Sequence, residues 1–394
     1  MAARVVLDDM IDVDDLESWL EEEKRRLTAA ITPEELAAKT KLRVKGQDHF
    51  VDDFSEAIAI NLARKQKGMP IFVGVIAGPP STGKTEYAKA VTEAIYGDEK
   101  YLVTIDCGEY PDEQRASVDL FGGESIYSNS KPGTLTSKME ALGQGVLLLD
   151  EIEKLVKGPD SLIGYAFYSM FDEGRVKDKF TGRTIDLSKW VILMTSNAQE
   201  NLMRELVEKF RDDAEMLATQ CKIALTDAPF SNALLSRIHR CTSTAPLTQR
   251  VKLDILAGKI ASYVQTFGLD LYRPTDKSKD PPSVDRPVFG ASLKWLENPK
   301  NLMREYEKSW FPTKSRIALF NAQRAGARVV RLGWDDAACG GQGGVVVIPM
   351  DGEGGASAGG VSPRNPAQRG AAHDAPLPRM EQHLDSTAPR RAFD

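Results

Sequence analysis

The stretch Ile71–Thr85, IFVGVIAGPPSTGKT, sets the architecture of this chain. Its first seven residues, Ile71–Ala77, are an unbroken apolar run, the pattern of a strand buried on both faces. The next eight, GPPSTGKT, fit the spacing G-x-x-x-x-G-K-[S/T], and the EYAKAVTEAIYG that follows reads as a helix. A strand, a glycine-rich turn and a helix in that order are what a phosphate-binding loop requires. The backbone N–H groups of Gly78, Pro79, Pro80, Ser81, Thr82 and Gly83 (the prolines excepted) curl towards phosphate oxygens, aided by the helix N-terminus. Lys84 reaches the outer phosphates, and Thr85 offers its hydroxyl to Mg2+. A chance glycine-rich turn is the competing reading, and it does not need a strand and a helix on either side.

Further apolar runs follow: YLVTI (101–105), GVLLL (145–149) and WVILMT (190–195), separated by helical patterns. Continuous strands alternating with helices predict a mostly parallel sheet covered on both faces. GVLLL ends in Asp150 and Glu151. Asp150 is placed to hold Mg2+, directly or through water, and Glu151 to polarise an attacking water. Alone, the acidic pair could equally cap the next helix. WVILMT ends in Thr195, Ser196 and Asn197. Asn197 would sit beside the terminal phosphate, because ligands gather at the carboxyl ends of parallel strands. Ser196 and Asn197 also suit a helix N-cap, and both roles can hold together.

The bulk numbers narrow the class. The chain has 394 residues with 42% hydrophobic and 27% charged content, ordinary for a globular protein. Its net charge is −6, and residues 1–30 hold nine acids against four bases. The remainder is close to neutral and lacks the basic field of a nucleic-acid protein. Four cysteines (107, 221, 241 and 339) form no CxxC pair, and four histidines form no HExxH. Zinc and disulfide frameworks therefore have little support, and free thiols fit a reducing cytosol. The N-terminus has no basic-then-apolar order, and the longest apolar run is too short for a bilayer. A cytoplasmic protein without membrane contact is expected.

Around the sheet, residues 14–40 have a helical pattern, with Leu16, Trp19, Leu20 and Leu27 on one face. Thr32-Pro33-Glu34-Glu35 reads as a helix start, Thr32 capping and Pro33 in the first turn. This acidic arm, residues 1–40, is read as a packing helix, with partner docking as the alternative. Residues 247–268 read as a helix with Leu253, Leu256, Ile260 and Val264 along one face. Residues 270–290, rich in Pro and charge, read as a long loop, and 291–326 again as helical. ARVVRLGWDD and GGVVVIPMDG, joined by CGGQ, read as two strands. Residues 351–394 are rich in Gly, Ala, Pro, Ser and Arg, a disordered-tail composition.

The order of these motifs resembles the AAA+ ATPase module of the Clp unfoldases, especially the second module of ClpA and ClpB. VKGQDHFVDDFSEAI (44–58), IDCGEYPDEQRASVDLFG (105–122), LLLDEIEK (147–154) and FDEGRVKDKFTGRTIDLSKWVILMTSN (171–197) carry the likeness. It runs from about 41 to 247 and fades through 248–348. The resemblance implies an α/β fold: an AAA+ P-loop domain with a parallel sheet between helices (41–246), then a small, mostly helical lid domain (247–350). It implies ATP with Mg2+ and places Gln47 at the adenine. It makes Arg237, in FSNALLSRI (230–238), an arginine finger entering a neighbouring subunit, hence a homo-oligomer, a hexameric ring. Asn232, Ala233 and His239 depart from the family residues there. For the second sensing arginine, Gly326-Ala327-Arg328 is followed by a strand pattern, whereas Arg316 follows FPTKS at a helix start, so Arg316 is preferred.

The resemblance also puts Tyr127, in FGGESIYSNSKPGTL (121–135), on the loop that grips polypeptide in the central pore. A tyrosine ring holds varied chain without sequence preference. Ile126, Ser128 and Asn129 replace the family's flanking Gly and Val. Residues 198–229 hold no Ile-Gly-Phe or Ile-Gly-Leu triplet, so docking to the ClpP peptidase is not expected. Three functions compete: a ring that remodels or unfolds protein, a nucleic-acid loader or motor, and a nucleotide-switched assembly protein. The near-neutral body and the Tyr127 insert favour the first, with substrate choice through the arm, the tail or an adaptor.

Overall fold

The computed structural model describes residues 31–64, 68–110, 112–124, 130–156, 162–226, 230–298 and 301–350. The expected helix over 14–30, Tyr127 and the tail 351–394 lie outside the described residues.

Five parallel strands form the main sheet: β1 (Phe72–Ala77), β2 (Leu102–Asp106), β3 (Gly145–Asp150), β6 (Trp190–Ser196) and β7 (Arg240–Ser243), in the order β2-β3-β6-β1-β7. The apolar runs are continuous because successive side chains serve two different cores. Leu147 and Leu149 point into one cluster with Val73, Val75, Ile192 and Met194. Val146 and Leu148 point into the other with Phe72, Ile76, Val191 and Leu193. β7 was not foreseen. Arg-Cys-Thr-Ser carries no apolar run, and its burial comes from lying against β1 as the edge strand.

The start signal at Thr32 is realised. Thr32 Oγ1 accepts from Glu35 N at 3.1 Å, Pro33 sits in the first turn, and the helix runs Pro33–Arg43. Helix Asp48–Arg64 packs Phe50, Phe54 and Ile58 onto the sheet beside Tyr87 of helix Lys84–Tyr96. On the opposite face lie helices Glu113–Phe121, Thr134–Leu142 and Leu162–Asp172, and the small antiparallel pair β4 (Arg175–Lys177) and β5 (Thr184–Asp186).

The turn between β4 and β5 holds a buried acid. Asp178 is 2% exposed, yet it accepts from Gly133 N (2.8 Å), Thr136 Oγ1 (2.5 Å), Phe180 N (3.0 Å) and Thr181 N (2.7 Å). Lys179 N also donates to Phe121 O at 2.8 Å. This ties together the two stems of the segment between Phe121 and Thr134, and the fit is close. A Cβ on Gly133 would fall 2.3 Å from Leu120 O.

A third apolar core begins at helix Gln249–Gln265, whose Leu256, Ile260 and Val264 pack with Val288, Tyr306, Phe311, Leu319, Val330 and Val345. Its sheet has the order β10-β9-β8, with β8 (Asp270–Leu271), β9 (Val329–Asp335) and β10 (Gly344–Pro349). The β9/β10 hairpin matches the expectation. The expected loop over 270–290 is shorter. Its start pairs in parallel with β9, and helix Arg286–Leu296 begins with Pro287 in its first turn. The expected helix over 291–326 breaks after Leu296 and resumes through a π-turn, Tyr306–Trp310, before helix Phe311–Arg324. The wide turn accommodates large rings: Trp310 stacks on Tyr306 at 5.3 Å and on Trp334 at 6.2 Å.

Candidate active site

β1, β3 and β6 are neighbours in the sheet, so their carboxyl ends deliver three sets of polar residues to one place. At the end of β1 the chain enters the loop Gly78–Gly83. Positive φ at Gly78 (123°), Ser81 (61°) and Gly83 (100°) produces the curl before the helix opens at Lys84. Gly78 is required on space as well, since a Cβ there would meet Thr244 Oγ1 at 2.6 Å. Thr82 Oγ1 donates to Pro79 O (2.8 Å) and bonds Thr244 Oγ1 (2.6 Å), which fixes the loop from behind. Pro80 and Ser81 are exposed at its crest.

Lys84 is the decisive cation. It is 7% exposed, and its Nζ donates to Gly78 O (2.7 Å), Pro79 O (2.8 Å) and Asn197 Oδ1 (2.9 Å). All three partners are neutral. Burial pushes its pKa down to about 8, against the opposing pull of Glu153, Asp150, Glu200 and Glu151. A buried ammonium ringed by neutral acceptors favours an anion, and phosphate fits that demand.

Asp150 ends β3 and accepts from Thr85 Oγ1 at 3.1 Å and from Thr195 Oγ1. A hydroxyl beside one carboxylate suits Mg2+, a hard cation commonly held by one or two carboxylates together with substrate phosphates.

Glu151 leaves the strand with φ 56°, in the left-handed region, and its N–H donates to Thr195 Oγ1 at 3.0 Å. Its side chain caps no backbone N–H, so the capping alternative is not realised. Instead Oε1 accepts from Asn197 Nδ2 at 3.1 Å, and Oε2 pairs with Lys154. Asn197 thus joins the two motifs through one amide, its oxygen on Lys84 and its nitrogen on Glu151. It caps no helix either, since the next helix starts after Gln199.

Glu153 escaped the sequence reading. Its Oε1 accepts from Asn197 N at 3.0 Å, and its Oε2 is buried without a protein hydrogen bond. The available signal was a third acid in the same run, three residues past Asp150.

Gln47 lies behind the phosphate loop. It is fully buried, and its amide donates to Thr82 O (3.2 Å) and Ala245 O (2.8 Å) while accepting from Ala245 N (2.9 Å). With the amide engaged on three sides, Gln47 shapes the wall behind the phosphate loop. Arg237 lies away from this cluster. Its Nη1 donates to Ala233 O (2.6 Å), its Nε pairs with Asp172 (2.5 Å), and its guanidinium covers the Tyr168 ring at 4.6 Å. Arg316 is exposed in the second turn of helix Phe311–Arg324, whereas Arg328 directly precedes β9.

Residues 69–241 match the family model described as AAA domain (Cdc48 subfamily). The chain is 28% identical over 276 residues to the ATP-dependent Clp protease ATP-binding subunit ClpE of Bacillus subtilis, covering 67% of this chain and 38% of that protein. It is 30% identical over 232 residues to the chaperone protein ClpB of Staphylococcus epidermidis, covering 58% of this chain and 26% of the relative. Over residues 69–241 the chain is thus similar to AAA+ ATPases of the Clp type. It spans well under half the length of these relatives. Its fold matches a closed-state cryo-EM reconstruction of Hsp104 with ATPγS and FITC-casein, with TM-score 0.59 and 19% identity, over 84% of this chain and 53% of that one.

Proposed function

We propose that this chain is a Clp-type AAA+ ATPase that couples ATP hydrolysis to the remodelling or unfolding of protein substrates. The observation that carries the hydrolytic half is Asn197, one amide joining a buried lysine to an acid at the end of the adjacent strand. Lys84 and the N–H groups of Gly78–Gly83 bind and orient the phosphates. Thr85 and Asp150 would hold Mg2+, which would neutralise phosphate charge. Glu151 orients and deprotonates the attacking water, and Asn197 sets the distance between that carboxylate and the phosphate.

Arg237 completes the site of a neighbouring copy in a homo-oligomeric ring, which we take to be a hexamer. Its position on the outside of the cluster, 28% exposed, supports a role between subunits. We assign residues 41–246 to the ATPase domain and 247–350 to a lid carrying Arg316. The separate apolar core of Leu256 to Val345 supports that division. Tyr127 would grip substrate in the pore, and the arm, the tail or an adaptor would choose it. Among the described residues no helix is long and apolar enough to cross a membrane, and we take the cytoplasm as the working compartment.

The test compares ATPase stimulation by an unfolded protein and by DNA. Several-fold stimulation by the protein alone is expected, and stimulation by DNA alone would sink the remodelling reading in favour of a nucleic-acid motor. Tyr127→Ala should keep basal hydrolysis and abolish processing. Unchanged processing would favour a nucleotide-switched assembly role, which the loss of glycines around Tyr127 keeps open.

A further inference from the structure

Helix Asn232–Ser236 ends one residue before Arg237, and the chain then turns into β7. Arg237 N donates to Leu234 O (3.1 Å) and Ile238 N to Leu235 O (3.3 Å), so the arginine is carried on a helical turn and not on the strand. That turn leaves the start of β1 short of a ladder partner. His239 supplies one. Its backbone N–H donates to Val73 O at 2.9 Å, and its ring Nδ1 faces Val73 N at 3.0 Å. Only an unprotonated Nδ1 can accept that N–H.

We propose that His239 is a positioning residue for hydrolysis: its two-bond clamp on Val73 fixes the Arg237 turn to the strand that leads into the phosphate loop, and protonation of the ring releases it. The proposal rests on the reading of Arg237 as the arginine that completes a neighbouring site.

Three features set the ring's behaviour. Partial burial, and next the charge of Lys222, hold the imidazole below the ordinary histidine value. Lys222, on helix Ala214–Thr226, also donates to Ile238 O at 3.3 Å, so it braces the same turn. The neighbouring charges are already engaged, Asp53 with Arg240 (3.5 Å) and Arg237 with Asp172, and Phe72 packs its ring 6.0 Å away. The sign follows directly. The freed ring takes a proton at higher pH than the clamped ring, so acidification favours release and alkaline pH does not. A protonated Nδ1–H would face the Val73 N–H, donor against donor, and the turn would separate from β1.

The experiment measures ATPase of the assembled full chain from pH 5 to 8 for the wild type, His239→Asn, His239→Leu and Arg237→Ala. Asparagine offers a carbonyl acceptor that does not titrate. His239→Asn should keep turnover near neutral pH within about twofold and lack the wild type's fall on the acid side. His239→Leu should lower kcat roughly tenfold, with KM for ATP within twofold, since the phosphate loop is untouched. Should His239→Leu fail to fold, the comparison of His239→Asn with the wild type still decides. An acid limb that survives in His239→Asn overturns the proposal. Arg237→Ala separates the two ideas: if it hydrolyses normally, the reading of Arg237 falls, whereas if it is inactive while both His239 variants match the wild type, only the clamp falls.

Discussion

Lys84 and Arg237 are both cations in the same domain, held in opposite ways. Lys84 is buried among neutral acceptors and has no carboxylate in direct contact among its hydrogen-bond partners. Arg237 has a carboxylate, a carbonyl and an aromatic face, all from its own chain, and it remains partly exposed. An ammonium so placed is open to an incoming anion, because its direct hydrogen-bond partners are all neutral and Glu153, Asp150, Glu200 and Glu151 act on it only from farther off. A guanidinium so placed is already neutralised, and it can serve elsewhere only by exchanging these partners for better ones. On the proposed role of Arg237, the contrast separates a site built within one chain from a site finished by another.

The sharpest way to break that contrast is to remove each cation in turn. Lys84→Ala should abolish ATP binding, followed with a fluorescent nucleotide, and lower turnover by on the order of 10³-fold. Glu151→Gln should bind ATP, lose turnover and stabilise the oligomer, and normal hydrolysis would remove Glu151 from its role. Arg237→Ala should also lose roughly 10³-fold in the assembled protein, the lower end for arginine fingers, while binding ATP normally. If Arg237→Ala instead weakens binding as Lys84→Ala does, the two cations serve one site and the contrast collapses.

Asn197→Ala comes next. The amide touches both motifs but carries no charge, so the expected loss is about 10²-fold in kcat with little change in KM. An equal effect on KM would place Asn197 in ground-state binding.

Why some of this was legible before the fold was known, and some not, follows from what each residue depends on. The phosphate loop reads from sequence because its glycines, lysine and threonine are adjacent, and each is demanded by backbone geometry or by a reacting atom. The buried strands read because each residue meets a core on one face or the other. The partners of Gln47 were hidden because they lie at Ala245, 198 positions away, and no local pattern shows that its amide is engaged there. β7 was invisible because its four residues are polar or small and are buried by position, not by character. The partners of Arg237 were equally hidden, since Tyr168 and Asp172 lie on a helix far earlier in the chain.

Asp178 gives a stability counterpart. Burial alone would raise its pKa, but the hydrogen bonds from Thr136, Thr181 and Gly133 prevail and hold it below the ordinary carboxylate value. The stability this supplies is present above the unfolded-state pKa and is lost as pH falls through the lower folded value. Asp178→Asn should cost about 2–3 kcal/mol at neutral pH, because two charge-assisted bonds to buried donors are weakened. The urea midpoint of the variant should also vary less than that of the wild type between about pH 5 and pH 3. Parallel curves would mean that Asp178 does not carry the acid dependence.

The smallest expected effect probes the resting partners of Arg237. Asp172→Asn removes the ion pair while leaving the Tyr168 face and the Ala233 carbonyl in place. A partly exposed pair contributes under about 1 kcal/mol, so the urea midpoint should barely move. Turnover of the assembled protein should be equal to that of the wild type or higher, by no more than a few-fold, since the guanidinium then leaves its own chain more readily. If Asp172→Asn instead loses as much activity as Arg237→Ala, the in-chain pair is the working arrangement. Arg237 would then act by shaping its own subunit, as Gln47 does behind the phosphate loop.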